Sequence, residues 1–512
     1  MRRTLRLSRS RVALVAALAG SVVFALGSSA VALGAAPVKR ISTDPYTNRD
    51  SNHRTEVEPD TFVFRNTVVA TFQVGRFFDG GASNIGFATS TDGGQTWTHG
   101  FLPSTTVNST PAGPYARASD PTVAFDKRHG VWMISWIGLF PGGNTSRVDV
   151  LVSRSTDGGK TFGAPVVVSA SGNFNDKNWT VCDNTATSPF YGHCYTEFDD
   201  FTHLNRIQMS TSTDGGLTWG AAKTTPDQTC VIGGQPLVKP SGTVIVPIDD
   251  CQETAILSIR STDGGATWQK PVLVALLLND GNPGAIRAPA LPTAEIDGSG
   301  RVYVVWPDCR FEAGCSAPIG TNDLLISSSA NGVNWTLPAR IPTAPVGSGA
   351  DFMMPGLAVD RSTSGSSAHL GLTYYYFPNS NCQIATCRLR IGFVSSTNGG
   401  ATWSSPTQLD GTMDVRWLPL TTQGFMAADY ISTSIVPQAE NATPAVIVAR
   451  PPATPPACSN LANGAPGQDC DVAAYTASPG LLAIVGGSNP ATRPAHRAVT
   501  RPHVLSGRQT AY

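Results

Sequence analysis

Charged side chains are scarce in this 512-residue chain, 14% against about 25% in typical soluble domains, and they gather at the ends of short β-rich runs. Glu58, Asp60, Arg76 and Asp79 come first, then Arg117 and Asp120, then Asp176, Lys177, Glu197 and Asp199. Arg287, Asp308, Arg310, Asp429 and Tyr430 follow. Two chemistries are open to such a set. Arginine forks match a carboxylate bidentately, and paired carboxyl groups, for which Asp60 and Asp120 qualify, can act as acid and base on a glycosidic bond. The bland alternative is turn caps and salt bridges between neighbouring sheets, which use the same residue types. Metal chemistry is not expected, because His53, His129, His193 and His203 lack ligand spacing and no Cys-x-x-Cys occurs. No cofactor is expected either.

The elements that position these residues are set by a repeat. The stretch 90–97 reads Ser-Thr-Asp-Gly-Gly-Gln-Thr-Trp, and close copies stand at 155–162, 212–219, 261–268, 329–335 and 396–403, the last two with Asn331 and Asn398 in the Asp place. Asp-Gly or Asn-Gly after an alternating run supplies the positive-φ positions of a tight hairpin, and the carboxylate accepts from backbone N–H groups of its own turn. One carboxylate per copy falls short of the ~6–8 oxygens a calcium ion takes. Each repeat reads as four short strands. Such a sheet cannot bury both faces alone, so the units stack around an axis. Three boxless runs, 430–436, 444–449 and 471–477, have the order of the first three strands of one more unit.

The box resembles the Asp-box of sialidases and related secreted β-propellers, a structural fastener joining the third and fourth strands of a blade, and the resemblance covers roughly residues 58–403. It implies an all-β Asp-box β-propeller. Seven blades of four antiparallel strands are expected, six as in sialidases being the alternative. Strand parity places the box corners and the links between first and second strands on one face. The longer loops fall on the opposite face, where the site is expected. Sialidase chemistry then implies Arg76, Arg117, Arg287 and Arg310 as holders of a substrate carboxylate. It further implies Tyr430 as nucleophile, Glu197 as its base, and Asp120 or Asp79 as the acid. The Phe-Arg-Ile-Pro motif of sialidases is missing near the N-terminus; Arg340-Ile341-Pro342 matches three of its letters on the wrong strand. The implied function is release of terminal sialic acid or a related acidic sugar. A non-catalytic propeller that binds glycan or protein and a glucan-cleaving hydrolase with paired carboxylates are the alternatives.

Residues 1–36 hold five arginines and no acid ahead of and within an apolar stretch, which reads as an export signal and implies a secreted protein with no membrane contact beyond it. The remainder carries 31 basic against 36 acidic residues, which argues against nucleic acid as a partner. A glycan is the expected partner, and a monomer the expected state. The domain expectation is 37–57 irregular, 58–480 one propeller, and 481–512 a disordered basic tail. Ten cysteines suit an oxidising compartment. Pairing of sequence neighbours is the economical connectivity, with all five bonds bracing loops on the site face.

Overall fold

The computed structural model describes residues 37–141, 147–315, 319–437, 439–454, 457–461, 464–478 and 482–493. The expected export segment 1–36 and most of the basic tail lie outside the described residues. Residues 37–493 are all-β, built from antiparallel meanders. Labels go to the first strand of each meander: β1 (Glu56–Phe64), β2 (Arg117–Asp126), β3 (Asn175–Cys182), β4 (Leu237–Val238), β5 (Thr293–Ile296), β6 (Asp351–Val359) and β7 (Ser432–Val436). Each packs on the next, and β7 packs back on β1, so the ring of a β-propeller closes. Second strands such as Val131–Leu139, VWMISWIGL, are apolar along their whole length because neighbouring sheets cover both faces. Trp132, Trp136, Trp306, Tyr374 and Tyr375 are buried there as inter-sheet core.

A first strand turns one edge to the axis, and its unpaired N–H and C=O groups need partners. A polar side chain at one register position supplies them to the next strand of the ring. Asp60 Oδ2 accepts from Val123 N at 2.6 Å, Thr122 Oγ1 from Thr180 N at 3.4 Å, Gln235 Oε1 from Ala294 N at 2.6 Å, and Thr293 Oγ1 from Leu357 N at 3.2 Å. The ring-closing joint uses Ser432, whose Oγ donates to Thr61 O at 3.1 Å. Trp179 holds the same register in β3, and the following strand offers Pro236, which has no N–H to satisfy. In β6 the position is Gly356, where a Cβ would stand 3.0 Å from Ile431.

Neither the expected seven four-stranded blades nor the alternative six is found: among the described residues five sheets reach four strands or more. Ala82 pairs with Ala118, which fuses the first two meanders into one eight-stranded sheet. The third sheet has three strands, because after its box the chain makes two isolated bridges, Met209 with Lys223 and Arg206 with Cys230, instead of a fourth strand. The N-terminal segment contributes Val38–Arg40, which pairs with Val472–Ala477 as the outer strand of the last meander and so supplies the fourth strand that the three boxless runs lack. Asn489–Pro490, inside the expected tail, pairs with Thr402–Trp403.

All five disulfides join sequence neighbours. Four brace loops on the face away from the boxes. Cys182–Cys194 instead closes the link between first and second strands, on the box face. Gly93 N donates to Asn66 O at 2.8 Å, which sets a box corner against a first-to-second link as strand parity requires. The corners also touch the preceding sheet: a Cβ on Gly159, already at φ 80°, would come within 2.7 Å of Val69.

The four boxes that carry Asp close on their own carboxylate. Asp157 accepts from Thr161 Oγ1 at 2.6 Å and from the N–H groups of Lys160 and Thr161 at 3.0 Å. The Thr161 hydroxyl leads these bonds in lowering the Asp157 pKa to about 2. A folded pKa below the unfolded value gives stability that is present above pH ~4 and lost as pH falls through about 2. Asp157→Asn keeps an acceptor, as Asn398 does in the sixth box by accepting from Thr402 N at 2.9 Å. Its urea midpoint should therefore sit below wild type near neutral pH and converge with it towards pH ~2. Asp157→Ala should cost about 1 kcal/mol at neutral pH, by analogy with a lost cap. A gap between wild type and Asp157→Asn that is constant with pH would refute this account of the box.

Candidate active site

Two residues before each joint position, the first strands carry a second ring of side chains. In β1, β2, β3 and β6 these are Glu58, Asp120, Lys177 and Met354, at φ 51°, 49°, 52° and 46°, each inside a β-bulge. Left-handed backbone at a residue with a Cβ costs roughly 1–3 kcal/mol and persists where surrounding structure imposes it. The bulge re-aims the side chain. Three of the four precede a proline, Pro59, Pro121 and Pro355, which has no N–H to give the ladder. The matching residues elsewhere are Gly233, Leu291 and Tyr430. One arc of the ring is thus polar and the other apolar.

The polar arc is a buried charge cluster. Asp429 receives Arg287 through Nε at 2.6 Å and through the second guanidinium nitrogen, and it also pairs with the Lys177 ammonium. Lys177 Nζ lies 3.8 Å from Glu58, and Lys177 N donates to Asp120 Oδ2 at 3.1 Å. Ser119 Oγ donates to the other Asp120 oxygen at 2.8 Å. Arg76 donates from one terminal nitrogen to Gln73 Oε1 at 2.8 Å, while its Nε and other terminal nitrogen have no acceptor among the described residues, although it is 1% exposed.

Burial and neighbours drive these groups apart. Burial would raise the Asp429 pKa, but Arg287 and Lys177 outweigh it and hold the carboxyl far below its usual range. Burial would raise Asp120 too, and Lys177 with Ser119 brings it below normal. Asp176 is pushed up to about 7 by burial and then by the Asp120 charge beside it. Burial, then Asp120, lifts Glu58 well above the carboxylate range. Arg76 falls to about 10 through burial and the nearby Arg287.

The residues expected to form the site divide. Arg76, Arg287, Asp120 and Tyr430 converge at the axis. Arg117 does not: it pairs with the half-exposed Asp79 at 2.5 Å and lies over Phe77. Arg310 is held by its neighbour Asp308 at 2.6 Å and by Leu276 O. Two arginines and Lys177 therefore stand where four arginines were expected. Tyr430 donates to Pro121 O at 3.1 Å. Burial, then Glu58 and Asp120, raises its pKa well above normal, the opposite of an activated nucleophile. Glu197 does not reach it: Trp179 opposes Glu197 across the ladder and meets Tyr430 edge-on at 5.2 Å. Asp60 is spent on the joint to Val123. Asp176, Lys177, Glu58 and Asp429 had no role assigned from sequence; Glu58 carried the pre-proline bulge signal and Lys177 that of a lysine in a chain poor in charge, while Asp176 and Asp429 showed only their residue type at a strand end.

Residues 66–296 match a BNR repeat-like domain. A sialidase of Bacteroides fragilis (strain YCH46) is 29% identical over 162 residues, 27% of this chain and 28% of that protein. A sialidase of Micromonospora viridifaciens is 30% identical over 161 residues, 25% of this chain and 24% of that protein. The matched part thus spans about a quarter of the length of these curated relatives. Among solved structures, an ulvan lyase of a polysaccharide lyase family superposes with a TM-score of 0.47 at 10% identity, over 87% of this chain and 97% of that one. Its Asp-boxes, its closed ring of sheets and the match over residues 66–296 make the chain similar to BNR-repeat, sialidase-like β-propellers.

Proposed function

We propose that this propeller is a sialidase-like, carbohydrate-active enzyme, a glycoside hydrolase that acts on a glycan bearing an acidic sugar and works outside the cell. The observation that carries the reading is the Asp176–Asp120 pair: one carboxyl sits at about 7 and can give a proton near neutral pH, while its neighbour stays ionised. Environments that split two carboxyls in this way assign acid and base. On this reading Asp176 protonates the leaving oxygen, and Asp120 stabilises positive charge on the sugar or activates water. The unfilled donors of Arg76 select an anionic group on the substrate. Tyr430 is a wall residue rather than the nucleophile.

A second reading has its own support. Both Arg287 and Lys177 are engaged by an internal carboxylate, as suits a propeller that binds a glycan without cleaving it. Purified protein incubated with fluorogenic sialosides and uronides separates the two, since binding with no turnover on any of them leaves the binding module.

If the hydrolase reading holds, Asp176→Asn lowers kcat by about 10²–10⁴-fold with far-UV circular dichroism unchanged. The acid form is the working one, so wild-type kcat declines as pH rises through about 7. Tyr430→Phe should change kcat less than about tenfold, whereas a tyrosine nucleophile requires abolition. A wild-type rate that climbs through neutral pH would remove Asp176 as the acid.

A further inference from the structure

Asp429 is presented by the segment 418–430, which crosses the axis. Leu420–Thr421 and Gly424–Phe425 form a small hairpin. Its backbone is tied to three other parts of the ring: Thr422 N to Phe78 O at 3.0 Å, Phe425 N to Ala285 O at 2.8 Å, and Leu420 N to Ser459 Oγ at 3.0 Å. Glu58 N donates to Ala427 O at 3.2 Å, so the same segment braces the β1 bulge. At its end the Asp429 carboxylate enters the space between Arg287, which grips it through two nitrogens, and the Lys177 ammonium. Arg287 is 6% exposed, Lys177 8% and Asp429 2%. Two buried cations on one carboxylate, one of them a planar fork, are the recognition elements of a carboxylate ligand. Here the ligand is part of the chain.

We propose that Arg287 and Lys177 form a carboxylate-binding site whose resident occupant is Asp429, so that a carboxylate-bearing sugar takes this site only in exchange for that side chain. The site itself follows from the contacts and stands whether or not the protein turns over a glycan. The exchange with an acidic sugar rests on the proposed function. Removing the resident carboxylate takes away the negative charge that Arg287 and Lys177 share, a destabilising change that an external carboxylate of the right size relieves. Chloride carries the charge but lacks the paired oxygens.

The full chain carrying Asp429→Ala tests the site. Its Tm should fall below wild type, and sodium formate or acetate should restore it saturably, while sodium chloride at equal ionic strength does not. Asp429→Asn keeps the volume and one acceptor, so it serves where the alanine variant does not fold; it should bind free glucuronate about tenfold more tightly than wild type, since the competing negative charge is gone. If neither variant responds to a carboxylate beyond its response to chloride, the site is refuted. Formate rescue without any glucuronate binding upholds the site and overturns the exchange with a sugar. Rescue and glucuronate binding in a protein with no glycosidase activity uphold both and count against the hydrolase reading alone.

Discussion

The inner edge of each first strand is the constraint on which this architecture turns. Seven such edges converge on an axis too narrow for a further strand to pair with them, yet their backbone groups are withdrawn from bulk water. The chain solves this with side chains at one register position, each reaching to the next strand. The chemistry varies from joint to joint, with carboxylate, hydroxyl and amide acceptors and, at Ser432, a hydroxyl donor, because a polar group of suitable reach is all that is required. The Trp179–Pro236 joint makes the same point in reverse: with no N–H to satisfy, an aromatic ring takes the place of a polar group. The joint of Ser432 with Thr61 is the most consequential, since it ties the last first-strand to the earliest and prevents an open stack.

Fixing that position leaves freedom immediately beside it. The bulge two residues earlier lets the strand keep its joint while swinging one side chain towards the axis, at the cost of left-handed backbone for Glu58, Asp120, Lys177 and Met354. Joint and site are therefore coupled through the strand. A group such as Asp60 cannot serve both, and its position assigns it to the joint although burial raises its pKa to about 7. What looked in sequence like one acidic set is two sets with different tasks, separated by two residues.

Local features were legible in the sequence. The boxes and the all-β class follow from spacing, and pairing of sequence neighbours was the economical connectivity for the cysteines, because the chemistry of each is completed within about 20 residues. Sheet continuity was not legible: the fusion through Ala82 and Ala118 and the missing fourth strand after Trp219 depend on how neighbouring units settle against each other. At the site, Arg76 and Arg287 were identified from residue type and position. Arg117 and Arg310 carried the same signal but are neutralised by Asp79 and Asp308, a contest that only three-dimensional proximity decides. Lys177 stood in plain view among the loop-end charges. Its importance comes from the bulge that turns it inward, and bulges leave only a faint trace in a single sequence.

The balance of charge at the axis has a consequence beyond the individual pairs. Arg76, Lys177 and Arg287 face Glu58, Asp120, Asp176 and Asp429, with Glu197 and Asp199 behind them, all buried. Three cations cannot keep six buried carboxylates ionised in a low-dielectric interior, so protons must make up the difference. Asp429 has the strongest claim on the cations and Asp120 the next. Glu58, Glu197 and Asp199 are raised well above the carboxylate range, chiefly by burial. Asp176 falls between the two groups because burial and then the charged Asp120 raise it, while Lys177, which is also paired with Asp429, only partly offsets them. The poised carboxyl thus depends on the balance of charge: a cation added beside Asp176 would lower its pKa, and loss of the Lys177 charge would raise that of Asp120.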